Sequence, residues 1–454
     1  MKKALRVCLL LLLLSFGFHY LAWAQPGPAA PAATSAAAKV PGASEAAPKL
    51  VVPPGAQAGP NFNVETATQA WLDTLTPAQK AKSNAYFEGG YWLQLWGLLV
   101  SLAVAAVFLR LGLGRRLQAV VNQIRRPNLQ NLAFCAFYLV LAALLTFPWT
   151  VYTDFFREHH YGLSNQTFGA WLSEALIGLA ISTVVGSLLL MALYVAIRRT
   201  GRRWWVWGGT VAVLFIFVSA FLGPVFISPL FNKYTPLPAS PVRAQLLSLA
   251  RANDVPATNV YLVDASRQSK RVSANVSGLG ATIRISLNDN LLRRCSPEEV
   301  QGVMGHELGH YVLNHIYKNV LEIGLVILIG FAFVDWGFRR LTARSGPAWG
   351  ISGLSDVAGL PLLVALFSVF TFLATPVFNT IIRTAEMEAD QFGLNAAREP
   401  DGEAAVDMKL SEYRKISPGS WEEILFFDHP SGHTRVHTAM QWKAEHLSDP
   451  QPAP

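Results

Sequence analysis

Two histidines four residues apart, with a glutamate directly after the first, are the residues of this chain most able to do chemistry. His306 and His310 enclose Glu307-Leu308-Gly309 in an H-E-x-x-H pattern. Residues i and i+4 lie on one face of a helix, so both imidazoles can bind one zinc ion. Glu307 can then accept a proton from a zinc-bound water. An ordinary polar helix face is the alternative interpretation, but the pattern favours hydrolysis by activated water.

The residues before this pattern predict the helix that it requires. Ser296 is a good N-cap, Pro297 suits the first turn, and Glu299 completes a capping box. The H-E-x-x-H pattern is therefore expected on a helix that begins at about residue 297.

A third zinc ligand is expected downstream, because a catalytic zinc usually has three protein ligands and one open position. An acidic segment, 386–390, follows the last long apolar run. Glu386 and Asp390 are one helical turn apart, so Glu386 could bind zinc while Asp390 supports a ligand histidine. Glu388 is a rival ligand on spacing alone. A solvated acidic helix start is the alternative interpretation of the whole segment.

The composition of the chain is typical of a membrane protein. Of its 454 residues, 52% are hydrophobic and 15% are charged, whereas soluble proteins carry about 25% charged residues. The net charge of +8 could indicate nucleic-acid binding. The arginines instead cluster beside apolar runs, as membrane topology requires, so membrane lipid and not nucleic acid is the expected partner.

Six apolar runs are each long enough to cross a bilayer as a helix, which takes about 20 residues. A buried core helix could explain one such run but not six. The runs lie at roughly 92–111, 132–151, 172–197, 205–227, 320–338 and 360–378.

These runs divide the chain into six predicted regions. Residues 1–24 have the basic start, apolar core and small-residue cleavage site of a signal peptide, with an uncleaved signal anchor as the alternative. Thr76-Pro77 could start a short helix. Residues 240–252 predict an amphipathic helix, and 259–264 and 283–287 predict strands. The regions are a signal peptide at 1–24, an Ala/Pro-rich tether at 25–75 whose residues 25–60 are expected to be disordered, a four-helix membrane region at 76–227, a catalytic insert at 228–318, two membrane helices at 319–378 and a C-terminal catalytic region at 379–454.

The loops between the apolar runs differ in charge. Loops 112–131, 198–204 and 339–345 are rich in arginine, whereas 152–171 has Arg157 as its one basic residue apart from histidine. Because basic loops stay in the cytoplasm, the insert and the C-terminal region are expected to face outwards. In a Gram-negative bacterium, this places the chain in the inner membrane with its active site in the periplasm.

With these motifs, the chain resembles the type 1 CAAX prenyl endopeptidases, a family of integral-membrane zinc proteases. The resemblance covers roughly residues 80–440. It implies a mainly α-helical polytopic fold, with about six transmembrane helices around a chamber and a small α+β gluzincin-like catalytic region that has a short sheet. The matching segments are H-E-L-G-H at 306–310, R-x-x-E-x-E-A-D at 383–390, P-L-F-N-K-Y-T-P-L at 229–237, H-Y-G-L-S-N-Q-T at 160–167 and D-H-P at 428–430 with Arg435.

The resemblance also implies a role for each matching metal-site residue. His306, His310 and Glu386 match the family's ligands for one zinc ion per chain, and Glu307 matches its general base. Asp390 matches the acid that supports a ligand histidine.

Three further residues match groups that act on the substrate. His429 and Arg435 match groups that stabilise the oxyanion or hold the substrate. Asn275 matches an edge-strand asparagine that meets the substrate backbone, although the residues around it are spaced differently. Five other histidines are expected to have no chemical role, and His315 in particular lies off the ligand face, five residues after His310. These five are His159, His160, His315, His433 and His437.

The predicted function is that of a zinc metalloendopeptidase acting on peptides or proteins, lipid-modified ones included. A non-catalytic scaffold or chaperone on the same fold is the alternative, against which the intact Glu307 argues. A transporter is disfavoured, because Glu174 and Glu322 lie near the ends of their apolar runs. A periplasmic site should meet no prenylated CAAX proteins. The sequence does not choose between turnover of unmodified envelope proteins and processing of a lipid-modified peptide.

Overall fold

The computed structural model describes residues 48–278 and 282–449. The predicted signal peptide and residues 25–47 of the predicted tether lie outside this part of the chain. Its helices are α1 (Val64–Leu72), α2 (Pro77–Arg110), α3 (Leu113–Val121), α4 (Pro127–Thr150), α5 (Arg157–His160), α6 (Phe168–Thr200), α7 (Trp204–Leu222), α8 (Pro241–Ala252), α9 (Asp289–Arg294), α10 (Pro297–Val312), α11 (His315–Trp349), α12 (Leu360–Ala397), α13 (Pro400–Leu410), α14 (Ser420–Phe426) and α15 (Gly432–Glu445). The strands are β1 (Tyr234–Pro236), β2 (Val260–Val263), β3 (Ala274–Ser277) and β4 (Arg284–Asn288).

Five helical stretches of the described chain are long and apolar enough to cross a membrane. The third is 63 residues long, or roughly 95 Å as a helix, about three times the thickness of the hydrocarbon core. A turn at Gly201–Arg203 divides it into α6 and α7, which pack against each other. It therefore contains two of the six predicted apolar runs. The stretches are Pro77–Arg110, Pro127–His160, Phe168–Leu230, His315–Trp349 and Val357–Ala397.

The two ends of the described chain meet on one side of the membrane helices. Helix α1, which precedes the first span, packs against α15, which follows the last. Lys443 Nζ of α15 donates a hydrogen bond to the carbonyl of Ala56 at 2.7 Å. Because both ends of the described part lie on one side, that part of the chain must cross the membrane an even number of times, which agrees with six crossings and not with five.

Residues 48–75 are therefore folded and not part of a tether, contrary to the prediction, and the disorder expected for residues 25–60 does not extend to 48–60. The Asn63 carboxamide caps α1 by accepting from the Thr66 amide at 2.9 Å. Ala67, Trp71 and Leu72 are buried in a cluster with residues of α13 and α15. A nine-residue helix is not stable alone, so the C-terminal region stabilises it. The low overall hydrophobicity of this segment concealed a few apolar residues at helical spacing.

The helix predicted at Thr76-Pro77 is long, not short. The Thr76 hydroxyl and the Gln79 side chain form a capping box, and the helix continues for 34 residues through the first apolar run.

The insert between α7 and α11 contains a four-stranded sheet with the order β1-β2-β4-β3. Strand β2 is parallel to β4 and antiparallel to β1, and β3 is antiparallel to β4. The predicted strands correspond to β2 and β4, and the predicted helix corresponds to α8. The prediction missed β1 (YTP) and β3 (ANVS), because these short strands have few apolar residues, unlike the similarly short β2 (VYLV). Strand β3 is an edge strand and packs against α10.

The loop before α6 joins this insert. The Asn165 amide donates to the Gln268 carbonyl at 2.9 Å, and the Lys270 amide donates to the Leu163 carbonyl at 3.1 Å. At the opposite end of the spans, Gln118 of α3 hydrogen-bonds Asp356, which follows α11. The insert, the loop 161–167, α1 and the C-terminal region therefore share one side, and the arginine-rich loops occupy the other.

Candidate metal centre

Helix α10 begins as the sequence predicts. The Ser296 hydroxyl accepts from the Glu299 amide at 3.3 Å, and the Glu299 carboxylate accepts from the Ser296 amide at 2.6 Å. Met304 and Leu308 are fully buried against the insert's core. This packing fixes the rotation of α10 and so directs His306 and His310 towards α12.

A close contact between α10 and α12 brings the histidines to the acidic segment. A Cβ atom added at Gly393 of α12 would lie 2.7 Å from the His306 backbone nitrogen, and one added at Gly305 would lie 2.8 Å from the Gly393 carbonyl oxygen. Real Cβ atoms do not approach this closely, so glycine at both positions lets the two backbones touch. Glu386 lies about 39 Å along α12 from its start, beyond the hydrocarbon core of about 30 Å.

Three side chains from these two helices converge. The Nε2 atoms of His306 and His310 are 3.0 Å apart, and they lie 3.3 and 3.4 Å from Glu386 carboxylate oxygens. Zinc ligands at the corners of a tetrahedron are separated by about 3.3 to 3.6 Å, so the group has the dimensions of a metal site. No other group of three such side chains among the described residues has its ligand atoms within 4.8 Å of one another.

The charges around this group also suit a cation. Burial disfavours the charged form of His306, but the Asp390 and Glu386 carboxylates outweigh it and raise the pKa of His306 well above its usual value. Burial, together with the charge of His306, lowers the pKa of His310 to about 3. The site thus favours one positive charge near Glu386, while the neutral His310 retains a lone pair that can bind a metal.

A buried ion cluster supports His306. Its Nδ1 lies 2.7 Å from Asp390 Oδ1, so this carboxylate lies where an acid that supports a ligand histidine would lie. The Arg435 guanidinium donates to Asp390 at 2.9 Å and also contacts Glu403 at 3.3 Å and Asp407 at 3.1 Å. Burial raises the pKa of both Glu403 and Asp407, and the charge of Arg435 opposes that rise.

Arg435 does not fit the predicted contact with the oxyanion or the substrate. Its side chain is 7% exposed and its guanidinium is engaged by three carboxylates behind His306. The arginine therefore holds Asp390 in place instead of facing the space in front of the metal ligands.

His310 has a different neighbour, which the sequence analysis missed. His310 Nδ1 lies 2.9 Å from His315 Nδ1, and His315 Nε2 lies 3.0 Å from Glu388. Lys318 Nζ contacts the two oxygens of Glu388 at 2.7 and 2.8 Å. Glu388 is thus not in the ligand group, and His315 is not a plain interface residue.

A break in the helix explains the position of His315. Helix α10 ends at Val312, and Asn314 adopts a left-handed conformation with φ of 57° before α11 starts at His315. On a continuous helix, a residue five positions after His310 would point away from the ligands. The break at Asn314 instead directs the side chain of His315 back towards His310. Asparagine is, after glycine, the common residue in this conformation at helix ends, so Asn314 was the signal in the sequence.

Glu307 is partly buried beside the ligands and has no hydrogen-bond or ion-pair partner among the described residues. Burial raises the pKa of its carboxyl to about 7, an increase that the charges of His306 and Arg435 oppose and that Glu386 supports. A carboxyl group with a pKa near neutrality can both take up and release a proton at physiological pH.

His429 reaches the same group from the C-terminal region. Its Nε2 lies 3.3 Å from Glu386 Oε2, and its Nδ1 lies 2.8 Å from Asp428 Oδ1. Asp428 fixes the orientation of the ring, so that the other nitrogen points at the metal group.

Asn275 lies on the edge strand β3, opposite Ser286 of β4. Its side-chain oxygen is buried without a hydrogen-bond partner. A buried acceptor without a donor is costly, so this oxygen lacks in the described chain the partner that such an atom usually has.

Comparison with known proteins identifies the family. Residues 63–233 match the family described as "CAAX prenyl protease N-terminal, five membrane helices", and residues 236–443 match "Peptidase family M48". A Bacillus subtilis protein named "Uncharacterized metalloprotease YhfN" is 30% identical over 372 residues, which cover 80% of this chain and 86% of that protein. The chain belongs to peptidase family M48.

Other similar proteins agree with this family. The M48 chain is 28% identical to a rice "CAAX prenyl protease 1 homolog" over 66% of its own length and 71% of that protein. Its fold is similar to the crystal structure of S. mikatae Ste24p, with a TM-score of 0.66 at 21% identity over 81% of this chain and 90% of that one. The predicted fold class is therefore confirmed. Family membership makes the chain a membrane metalloprotease and implies a metal and peptide or protein substrates.

Proposed function

We propose that this M48 peptidase is a zinc metalloendopeptidase whose zinc is held by His306, His310 and Glu386. The observation that carries the proposal is the convergence of these ligand atoms within 4.8 Å, with the partly buried Glu307 next in sequence to one of them. Two imidazoles and one carboxylate are the donor set of many catalytic zinc sites with an open position.

In this proposal, the chain's own groups bind the peptide and move protons. Zinc would supply a Lewis acid that polarises the scissile carbonyl and lets water attack at neutral pH. Glu307 takes the proton of the attacking water and passes it to the leaving amine. In its imidazolium form, His429 donates through Nδ1 to Asp428 and through Nε2 to the oxygen on which negative charge develops.

The edge strand β3 is the proposed docking place of the substrate. An extended peptide can add to its free edge through main-chain hydrogen bonds. The side chain of Asn275, whose oxygen is buried without a partner, would turn towards this edge to accept a hydrogen bond from a substrate amide. This arrangement recognises the backbone of the peptide, so any sequence preference would depend on contacts with the substrate side chains.

The proposed location is the bacterial inner membrane, with the metal centre in the periplasm. The metal centre and the insert share one side of the spans, and the opposite side has the arginine clusters, which keep loops in the cytoplasm. A C-terminal alkaline phosphatase fusion should be active and a C-terminal green fluorescent protein fusion should be dark. The reverse result would place the centre in the cytoplasm.

The decisive test is cleavage by the full chain, purified in detergent. Unmodified peptides and a prenylated CAAX peptide are incubated with it, and bound zinc is quantified by mass spectrometry. Glu307→Gln should retain zinc and lose activity by about 10²–10⁴-fold, the usual contribution of a general base. Glu298→Gln, on the first turn of the same helix, is the matched control. Full activity of Glu307→Gln contradicts the mechanism.

The peptides that are cleaved identify the substrate class. Cleavage of the prenylated peptide indicates that lipidated tails still enter the site. Cleavage of unmodified peptides alone indicates turnover of envelope proteins. Bound zinc without any cleavage favours the alternative of a scaffold or chaperone.

A further inference from the structure

Beyond the residues matched to known roles, His315 stands out as a buried imidazole with both ring nitrogens engaged. Its side chain is 2% exposed. It contacts His310 through Nδ1 at 2.9 Å and Glu388 through Nε2 at 3.0 Å. A histidine placed at a membrane surface only for its polarity would not be shielded from solvent in this way.

The orientation of the His310 ring determines which atom donates in each hydrogen bond. Its Nε2 faces His306 and Glu386, and a metal ligand needs a lone pair at that atom. The proton of a neutral His310 is therefore on Nδ1, which donates it to His315 Nδ1.

The same logic fixes His315. Because its Nδ1 accepts, its own proton is on Nε2 and is donated to the Glu388 carboxylate. Lys318 Nζ, at 2.7 and 2.8 Å, holds that carboxylate in place. Each donor along this path has an acceptor, so the path has a single arrangement of protons.

We propose that His315 and Glu388 are positioning residues that fix the tautomer and ring orientation of the metal ligand His310. The inference rests on the proposed zinc site, to which it adds a support for the second histidine. A hydrogen bond from the outer nitrogen of a ligand histidine also increases its basicity. We call the chain of contacts from His310 through His315 to Glu388 the histidine relay.

Helix α12 supplies both histidine supports. Glu386 contacts both ligand imidazoles, Asp390 accepts a hydrogen bond from His306, and Glu388 accepts one from His315. Glu388 points away from Glu386 and Asp390 on this helix, so it cannot reach His310 itself. The helix break at Asn314 places a second imidazole in the intervening space.

The test measures zinc affinity in the full-length protein purified in detergent. His315→Phe keeps a ring of similar size and removes both hydrogen bonds, and it should raise the zinc dissociation constant by about 10–100-fold. His315→Gln retains an acceptor for His310 and a donor for Glu388, so it should recover most of the affinity. His446→Phe, a histidine that stacks on Trp442 away from the site, is the matched control.

Two further measurements separate a positioning role from a structural one. With Co²⁺ in place of zinc, the visible absorption spectrum should change in His315→Phe and return in His315→Gln. Thermal unfolding of the chelator-treated proteins should be alike for wild type and both variants. If His315→Phe does not fold, Glu388→Ala gives the same test, with an expected increase of about 3–10-fold in the dissociation constant.

The outcomes distinguish this inference from the proposal on which it rests. Wild-type zinc affinity and a wild-type Co²⁺ spectrum in His315→Phe, or in Glu388→Ala in its place, overturn the relay while the zinc site stands. Wild-type zinc binding in His310→Ala overturns the zinc site itself. Equal losses in His315→Phe and His315→Gln also count against the relay, because the hydrogen bonds would then not be what matters.

Discussion

The two histidines of the metal centre are supported in different ways. His306 contacts a carboxylate directly, and Arg435 behind it is buried among Asp390 and two further acids. His310 reaches a carboxylate only through a second imidazole. That carboxylate and its lysine partner are 42% and 35% exposed. One support lies inside the C-terminal region, and the other lies near solvent.

Because of this difference, we expect one support to stabilise the fold and the other mainly to affect the metal ligand. Removing one partner of a buried ion pair leaves an uncompensated charge and costs about 3–5 kcal/mol, whereas an exposed pair contributes about 0–1 kcal/mol. The cluster around Arg435 therefore holds the fold and the ligand together. The histidine relay can change the properties of His310 with little effect on the fold. The following variants test that division, from the largest expected effect to the smallest.

Arg435→Met should be the most damaging change. It leaves Asp390, Glu403 and Asp407 buried without their cation, and we expect the free energy of unfolding to fall by about 3–5 kcal/mol. Thermal unfolding in detergent and zinc content are the measurements. A variant as stable as wild type would break the comparison, because the buried cluster would then not support the fold.

The contact between α10 and α12 lies on the His306 side, so Gly393→Ala should also destabilise the protein. Its Cβ would meet the His306 backbone at 2.7 Å, and overpacking costs about 1–3 kcal/mol. Gly97→Ala, on α2 with open space around it, should be neutral or stabilising, since alanine favours a helix by about 1 kcal/mol. If both variants lower the unfolding temperature relative to wild type by similar amounts, the close contact is not what destabilises Gly393→Ala.

Removing the charge of each supporting carboxylate compares the two histidines directly. Asp390→Asn should raise the zinc dissociation constant by about 10–100-fold, and Glu388→Gln by less than about 10-fold, because its effect passes through His315. Chelator competition measures both constants. If both variants raise the dissociation constant equally, a carboxylate that acts through His315 affects zinc binding as strongly as one in direct contact with a ligand histidine.

Lys318→Met should have the smallest effect. Its pair with Glu388 is about one-third exposed, and solvent screening reduces its contribution to within about 1 kcal/mol of unfolding free energy. Unfolding temperatures at low and high salt measure it, and any loss should be smaller at high salt. If Lys318→Met lowers the free energy of unfolding as much as Arg435→Met does, the two supports contribute equally to stability and the division between them is wrong.

Local patterns in the sequence predicted the core of this arrangement. The capping box at Ser296 and the i, i+4 spacing of His306 and His310 describe a helix whose geometry is local. The pairing of His306 with Asp390 also follows from one helical turn of spacing. The length of the apolar runs predicted the spans, because crossing a bilayer depends on length and composition.

Contacts between distant segments were not accessible in the same way. His315 depends on one left-handed residue, Asn314, that reverses the chain. The burial of Arg435 depends on Glu403 and Asp407 of α13, which in the sequence look like the acidic residues of an ordinary solvent-exposed helix. Trp71 belongs to a segment with too few apolar residues to predict its packing, and its partners lie more than three hundred residues later.

The meeting of α1 with α15 also sets the order in which the molecule can be completed. Helix α1 cannot pack until α15 has been made, and Glu386 follows the sixth crossing of the described chain, so a ribosome must produce all six crossings before the metal ligands can assemble. A partly synthesised chain that stops before α12 thus has the histidines without the third ligand, and the metal centre cannot form in the membrane until the last of these crossings has been made.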